Sequence, residues 1–197
     1  MVMLEQRIQQ HFFDIADLEY QSAESLARPI ADAARALNGC ITAGGKPLVC
    51  GAGGAAALAS HFCAILVSRF ERERPALAAL TLSADSVIAG ALGGGDAVFA
   101  QQVLALGQPG DVLLLIDSGQ GAAALLAALH AAHQRDMSVI ALAPRGNAPL
   151  LAALGETDVA VAIAHERAAR ILELQLLVLH CLCDAVDLQL LGEQEPI

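Results

Sequence analysis

Tryptophan is absent from this 197-residue sequence and aromatic residues amount to 3%. The flat platforms on which single-stranded nucleic acids stack are therefore missing. Positive charge is scarce as well: 11 Lys and Arg stand against 21 Asp and Glu, a net charge of −10. Such a surface repels phosphate backbones, so direct nucleic-acid binding is not expected. Charged residues are 16% and hydrophobic residues 56%, which excludes a disordered, solvating chain. The mean hydropathy of +0.55 raises the question of a membrane protein, but no uniform apolar run answers it. The longest uncharged stretch, residues 47–68, is interrupted by Gly51, Gly53, Gly54, Ser60 and His61. It reads as strand, turn and helix, not as a bilayer span. The opening segment carries charges at helical intervals and no small-residue cleavage site follows an apolar core, so no signal peptide is expected. Cys40, Cys50, Cys63, Cys181 and Cys183 are odd in number and sit among apolar residues. The last two, two apart on a helix, face different ways and cannot pinch a metal. Reduced thiols in a cytoplasmic protein are the expectation.

What the sequence does contain is periodicity. Leu4, Ile8, Phe12, Ile15 and Leu18 recur at three- and four-residue steps, as do Leu26, Ile30, Ala33 and Leu37, predicting helix over residues 3–43 until Gly44-Gly45. Short apolar runs follow at 48–50, 76–82, 112–116, 139–143 and 159–164. Helical stretches lie between and after them at 54–70, 97–106, 120–134, 146–154 and 165–191. Strands apolar on both faces and alternating with helices predict an α/β fold, a three-layer αβα sandwich on a five-stranded parallel sheet. One domain spanning 1–197 is expected, with 1–45 a helical arm used in oligomerisation.

Ligands in such sheets bind where loops converge beyond the carboxyl ends of the strands. The first loop, Gly51-Ala52-Gly53-Gly54-Ala55-Ala56, fits the dinucleotide fingerprint G-x-G-x-x-A. That fingerprint needs an acidic residue closing the next strand. The strand ends Thr81-Leu82-Ser83 and Asp85 comes late, so a tight strand-to-helix turn is the plainer reading.

The strings CGAGG…HF (residues 50–62), RFERERP (69–75), ALGQPGDVLL (105–114), RDM (135–137), VIAL (139–142) and RILE…HCLCD (170–184) follow one another over nearly the whole chain. In order and spacing they resemble the sugar isomerase (SIS) domain family, in the branch holding phosphoheptose isomerases and the initiator-associating protein DiaA. The resemblance implies a homotetramer that isomerises sedoheptulose 7-phosphate or, in the DiaA manner, binds a replication initiator.

Carried over residue by residue, the resemblance implies a degenerate site. The Asn and Ser that hold the sugar phosphate in the first loop match Ala52 and Ala55. The proton-transferring Glu of the His-Phe-x-x-Glu motif matches Ile65, which cannot move a proton, while the His remains as His61. A family Asn-Asp loop becomes Gly93-Gly94-Gly95-Asp96. The Ser-Thr-rich phosphate turn becomes Asp117-Ser118-Gly119-Gln120-Gly121-Ala122, with a carboxylate where the phosphate belongs. On the last helix the Gln matches Leu172 and the His remains as His180. His61 and His180 are thus half of a four-ligand zinc set, and a two-histidine remnant is poor for zinc, so no cofactor is expected. The plainer reading of both histidines is structural. Arg69 matches a substrate-facing arginine, or pairs with Glu71 or Glu73.

Outside the cleft, His130 and His133 lack an evident acidic partner and read as solvent-facing. Leu190 matches the Leu of DiaA's initiator-binding Leu-Phe pair and Leu191 replaces the Phe, or the two close the core. The candidate ligand residues are Gly51, Gly53, Gly54, Arg69, Asp117, Ser118, Gly119, Gln120 and Gly121, with His180 the residual catalytic group. The leading expectation is a non-catalytic binding tetramer with an initiator protein as partner. The alternatives are a working isomerase using other residues and a binder of an amino sugar or other carbohydrate derivative, for which Asp117 supplies an acceptor.

Overall fold

The computed structural model describes residues 2–84, 86–91, 95–119 and 122–193. Five strands, β1 (Pro47–Gly51), β2 (Leu80–Thr81), β3 (Val112–Ile116), β4 (Ser138–Pro144) and β5 (Val159–Ile163), form one parallel sheet in the order β2-β1-β3-β4-β5. The helices are α1 (Val2–Thr42), α2 (Ala55–Val67), α3 (Ser86–Ala91), α4 (Ala97–Leu106), α5 (Ala122–Gln134), α6 (Ala148–Ala152) and α7 (Ala168–Leu191).

Alternation along the strands divides the core in two. Val49, Leu114, Ile116, Ile140, Leu142, Val161 and Ile163 face α1, α2 and α7. Leu48, Cys50, Leu113, Leu115 and Val139 face α4, α5 and α6, where Phe99, Leu125, Leu129 and Leu150 fill the other layer. Apolar residues on both faces of each central strand dictate this two-sided burial. Among the described residues no helix is long and apolar enough to cross a membrane.

Expectation and structure differ at α1 and at β2. Helix α1 covers the expected helical span and runs unbroken through Pro29. Its second half is no mere interface arm: Leu26, Ala33, Ala34 and Leu37 are buried in the same core cluster as Leu174, Val178 and Leu182 of α7. The strand expected over 76–82 shrinks to Leu80–Thr81, an edge strand paired only with β1.

The RFERERP string occupies the turn between α2 and β2 and fastens it. Arg74 donates to the carbonyls of Ile65 and Leu66, at 2.7 Å each, at the end of α2. Its Nε lies 2.7 Å from Asp187 Oδ1 on α7, with the two side chains only 1% and 3% exposed. Arg72 donates to the backbone carbonyls of Asp187 and Gly192. Burial pushes the Asp187 carboxyl above its ordinary value, and the charges of Arg74 and Arg72 oppose that rise.

Candidate functional site

The sheet order reverses between β1 and β3, and a cleft lies beside that point. A cavity of about 610 Å³ opens at the carboxyl edge of β3, β4 and β5. Its walls are the turn Asp117–Gly119, the turn Pro144–Asn147 and residues 164–166, with Ile171 of α7 at the base. Besides Asp117, the polar residues that line it are Ser118, Arg145, Asn147, His165 and Glu166.

Asp117 does not sit as a free acceptor in this cleft. It is fully buried; Oδ1 accepts from the Gly119 N–H at 2.9 Å and Oδ2 from Asn147 Nδ2 at 2.8 Å. The carboxylate therefore ties the end of β3 to the turn after β4. Asn147 completes the tie by capping α6, its Oδ1 accepting from Leu150 N. From below, the buried Gln175 of α7 donates through Nε2 to the carbonyls of Asp117 at 2.6 Å and Leu142 at 3.2 Å. Helix, strand and two loops are thus locked around one carboxylate. Gln120 and Gly121, like Asp85, Gly93 and Gly94, lie outside the described residues.

The first loop stands apart from the cavity lining. Gly53 takes a positive φ of 58°, and a Cβ on Gly51 would collide with the backbone of Ala55. Both glycines are demanded by the turn. Gly54 lies against Leu172, whose Cδ1 would be 3.0 Å from an added Cβ. Nearby, His61 Nε2 and His180 Nε2 approach to 3.0 Å, and Phe70 packs on His180 with ring centroids 5.3 Å apart. Ile65 and Leu172 are half-buried against the hydrophobic core.

The other candidates disperse. Arg69 pairs with Glu73 at 2.8 Å on an exposed turn. Leu190 packs against the core, whereas Leu191 is 48% exposed. His133 is not partnerless: its Nε2 lies 2.7 Å from Asp158 Oδ2, which also accepts from Gly155 N, while Asp158 Oδ1 accepts from Val139 N. Asp158 thus pins the approach to β5 against α5 and β4.

The SIS domain family model matches residues 10–144. The chain belongs to the SIS domain family. It is 59% identical over 99% of both chains to a protein named phosphoheptose isomerase from Methylibium petroleiphilum. It is 46% identical to the protein of that name from Thiobacillus denitrificans, over 98% of this chain and 99% of the relative. The solved structure of phosphoheptose isomerase GmhA from Neisseria gonorrhoeae superposes with a TM-score of 0.86 at 39% identity, covering 93% of this chain and 98% of that one.

The zinc set implied by the resemblance does not fit this SIS protein. Two imidazoles share a hydrogen bond, and the remaining two positions are aliphatic. Even a catalytic zinc keeps three protein ligands. Among the described residues no group of three His, Cys, Asp or Glu is placed to hold a metal. Sequence reasoning marks the loop Pro144–Asn147 after the fourth strand only as a whole, without singling out Arg145 or Asn147, and it missed Gln175, His165 and Glu166. Only Gln175 carried a signal, a lone amide on the apolar stripe of α7 between Ile171 and Val178.

Proposed function

We propose that this SIS protein is a phosphosugar protein of the phosphoheptose isomerase kind, acting on a seven-carbon ketose phosphate such as sedoheptulose 7-phosphate. The observation that carries the reading is likeness to proteins of that name along almost the entire chain. A cleft of about 610 Å³ at the carboxyl edge of the sheet, large enough for a sugar phosphate and lined in part by polar residues, supports it. Aldose–ketose exchange moves a proton between neighbouring carbons and needs a base within reach of the substrate. Ile65 offers none, and Asp117 is engaged on both oxygens. Glu166 is the remaining carboxylate among the residues lining the cleft, and it is the base in this reading. The expected result is turnover of sedoheptulose 7-phosphate in a coupled assay, lowered about 100- to 10,000-fold in Glu166→Gln. Binding without turnover in the parent protein rules the isomerase out.

One observation favours a second reading. The His61–His180 pair has the aliphatic Ile65 and Leu172 packed on the core where the resemblance implies a Glu and a Gln. In that reading the protein binds sugar phosphates without converting them and serves as a regulatory, DiaA-like homotetramer for a replication initiator, with Leu190 and Leu191 in the contact. The exposed Met3, Leu4, Ile8, Phe12 and Phe13 of α1 support self-association. Capture of the initiator by the parent protein, lost in Leu191→Ser with the oligomer intact by light scattering, supports this reading. Initiator binding unaffected by that change removes it.

A further inference from the structure

We infer that the polar pocket between the tip of α1 and the start of α7 is a second ligand site, taking a phosphate group through Arg7, Arg167 and His11. It lies apart from the cleft at the carboxyl edge of the sheet and does not depend on what that cleft binds.

The pocket is a cavity of about 220 Å³ lined by Arg7, Gln10, His11, Asp14 and Arg167. The four residues from α1 recur at three- and four-residue steps, so they share one face of the helix. A helix face laid against a neighbouring element is normally apolar. That holds one turn further on, where Leu18 is buried. At the tip the same face turns polar, while Phe12 and Phe13 are left exposed.

Pairing within the pocket leaves positive charge over. Asp14 is the one carboxylate among the lining residues. Its Oδ1 accepts from Gln10 Nε2 at 2.7 Å, and its Oδ2 lies a longer 3.4 Å from Arg167 Nη1. The Gln10 hydrogen bond holds the Asp14 carboxyl below its ordinary value, helped by the charges of Arg167, His11 and Arg170 and opposed by desolvation. An anion at this place is therefore stabilised. The Arg7 guanidinium has no hydrogen bond or ion pair among the described residues. Behind the pocket, Arg170 is 6% exposed and donates to the His11 carbonyl at 2.7 Å and to Glu173 Oε1 at 2.5 Å. Arg170 Nε and His11 Nδ1 are buried with no hydrogen-bond partner among the described residues, a state that protein interiors seldom tolerate. Arg167 is also the N-cap of the 24-residue α7, which no side chain caps, so the positive end of the helix dipole adds to the guanidinium groups. Forked cations beside a helix N-terminus suit a phosphate. The Arg7 and Arg167 side is open to solvent, which leaves room for the organic part of a phosphate ester.

Equilibrium dialysis with radiolabelled inorganic phosphate at fixed ionic strength tests this. The proteins are the parent, the double variant Arg7→Gln with Arg167→Gln, Asp14→Asn and Arg28→Gln. Arg28, exposed on α1, controls for the loss of any one positive charge. The double variant is expected to weaken one class of phosphate site about 10- to 100-fold, and any phosphate held in the cleft stays as a separate class. Asp14→Asn, which removes the carboxylate from the lining, should tighten that same class about 3- to 10-fold. Arg28→Gln should leave it unchanged. Displacement of the bound phosphate by glycerol 3-phosphate, with none by glycerol, extends the ligand to phosphate esters; displacement by neither confines it to the free ion. Identical binding by the parent and the double variant overturns the inference, as does the lack of any saturable binding by the parent. Neither of these results bears on turnover of sedoheptulose 7-phosphate, which belongs to the cleft.

Discussion

Arg74 and Asp187 are close to fully buried and face one another across the α2–β2 turn and α7. Removing one partner strands the other charge in the interior, so Asp187→Ala and Arg74→Met are each expected to lose about 3–5 kcal/mol in urea unfolding. Replacing both with apolar residues recovers part of that loss. Recovery stays incomplete because the Ile65 and Leu66 carbonyls lose their donor. The thiols give a second residue-scale prediction. Burial pushes Cys40 up to about 11 and Cys183 up to about 12, and it raises Cys50 and Cys63 as well. In the folded protein at pH 8 iodoacetamide should therefore label Cys181, the exposed thiol, ahead of the other four. Mass spectrometry of the labelled peptides checks the order. At this scale the site was only partly legible in the sequence. The Asp117–Gly119 turn was visible as a loop after a strand. Arg145, Asn147, His165 and Glu166 form no local pattern, because three separate loops bring them together. Asp117 was misplaced for a related reason: its partner Asn147 lies 30 residues away, and a carboxylate's surroundings decide what it does.

The elements were more readable than the site. Two-sided apolar runs marked the central strands, and three- and four-residue steps marked α1, because burial imposes those periods directly. The edge strand β2 was overextended because Ala- and Leu-rich sequence around 76–82 carries no signal for where pairing stops. The role of α1 was underread for want of any sequence mark of its partner. Leu37, fully buried, belongs to the cluster shared with α7. Leu37→Ala should cost about 2–5 kcal/mol in chemical unfolding. Deleting residues 2–45 uncovers the apolar faces of α7 and of the sheet, so the shortened chain is expected to lose its cooperative melt by calorimetry. A sharp transition in that truncated protein would show that the arm is dispensable to the core.

At the scale of the molecule, α1 is the disproportionate part. Its 41 residues extend about 60 Å at 1.5 Å per residue, whereas a compact chain of this length has a radius of gyration of about 16 Å. The buried residues of α1 lie between Leu18 and Cys40, and its beginning is studded with exposed Met3, Leu4, Ile8, Phe12 and Phe13. Spin labels at positions 3 and 42 should report a separation of about 58 Å if the helix stays straight. Pro29, which forgoes a backbone hydrogen bond, sits inside the clamped span, and the free part ends at Leu18. From there to the tip is a lever of about 24 Å, so a deflection of about 10° swings the free end by about 4 Å. Small adjustments where the rod is clamped are geared up into large excursions at its far end.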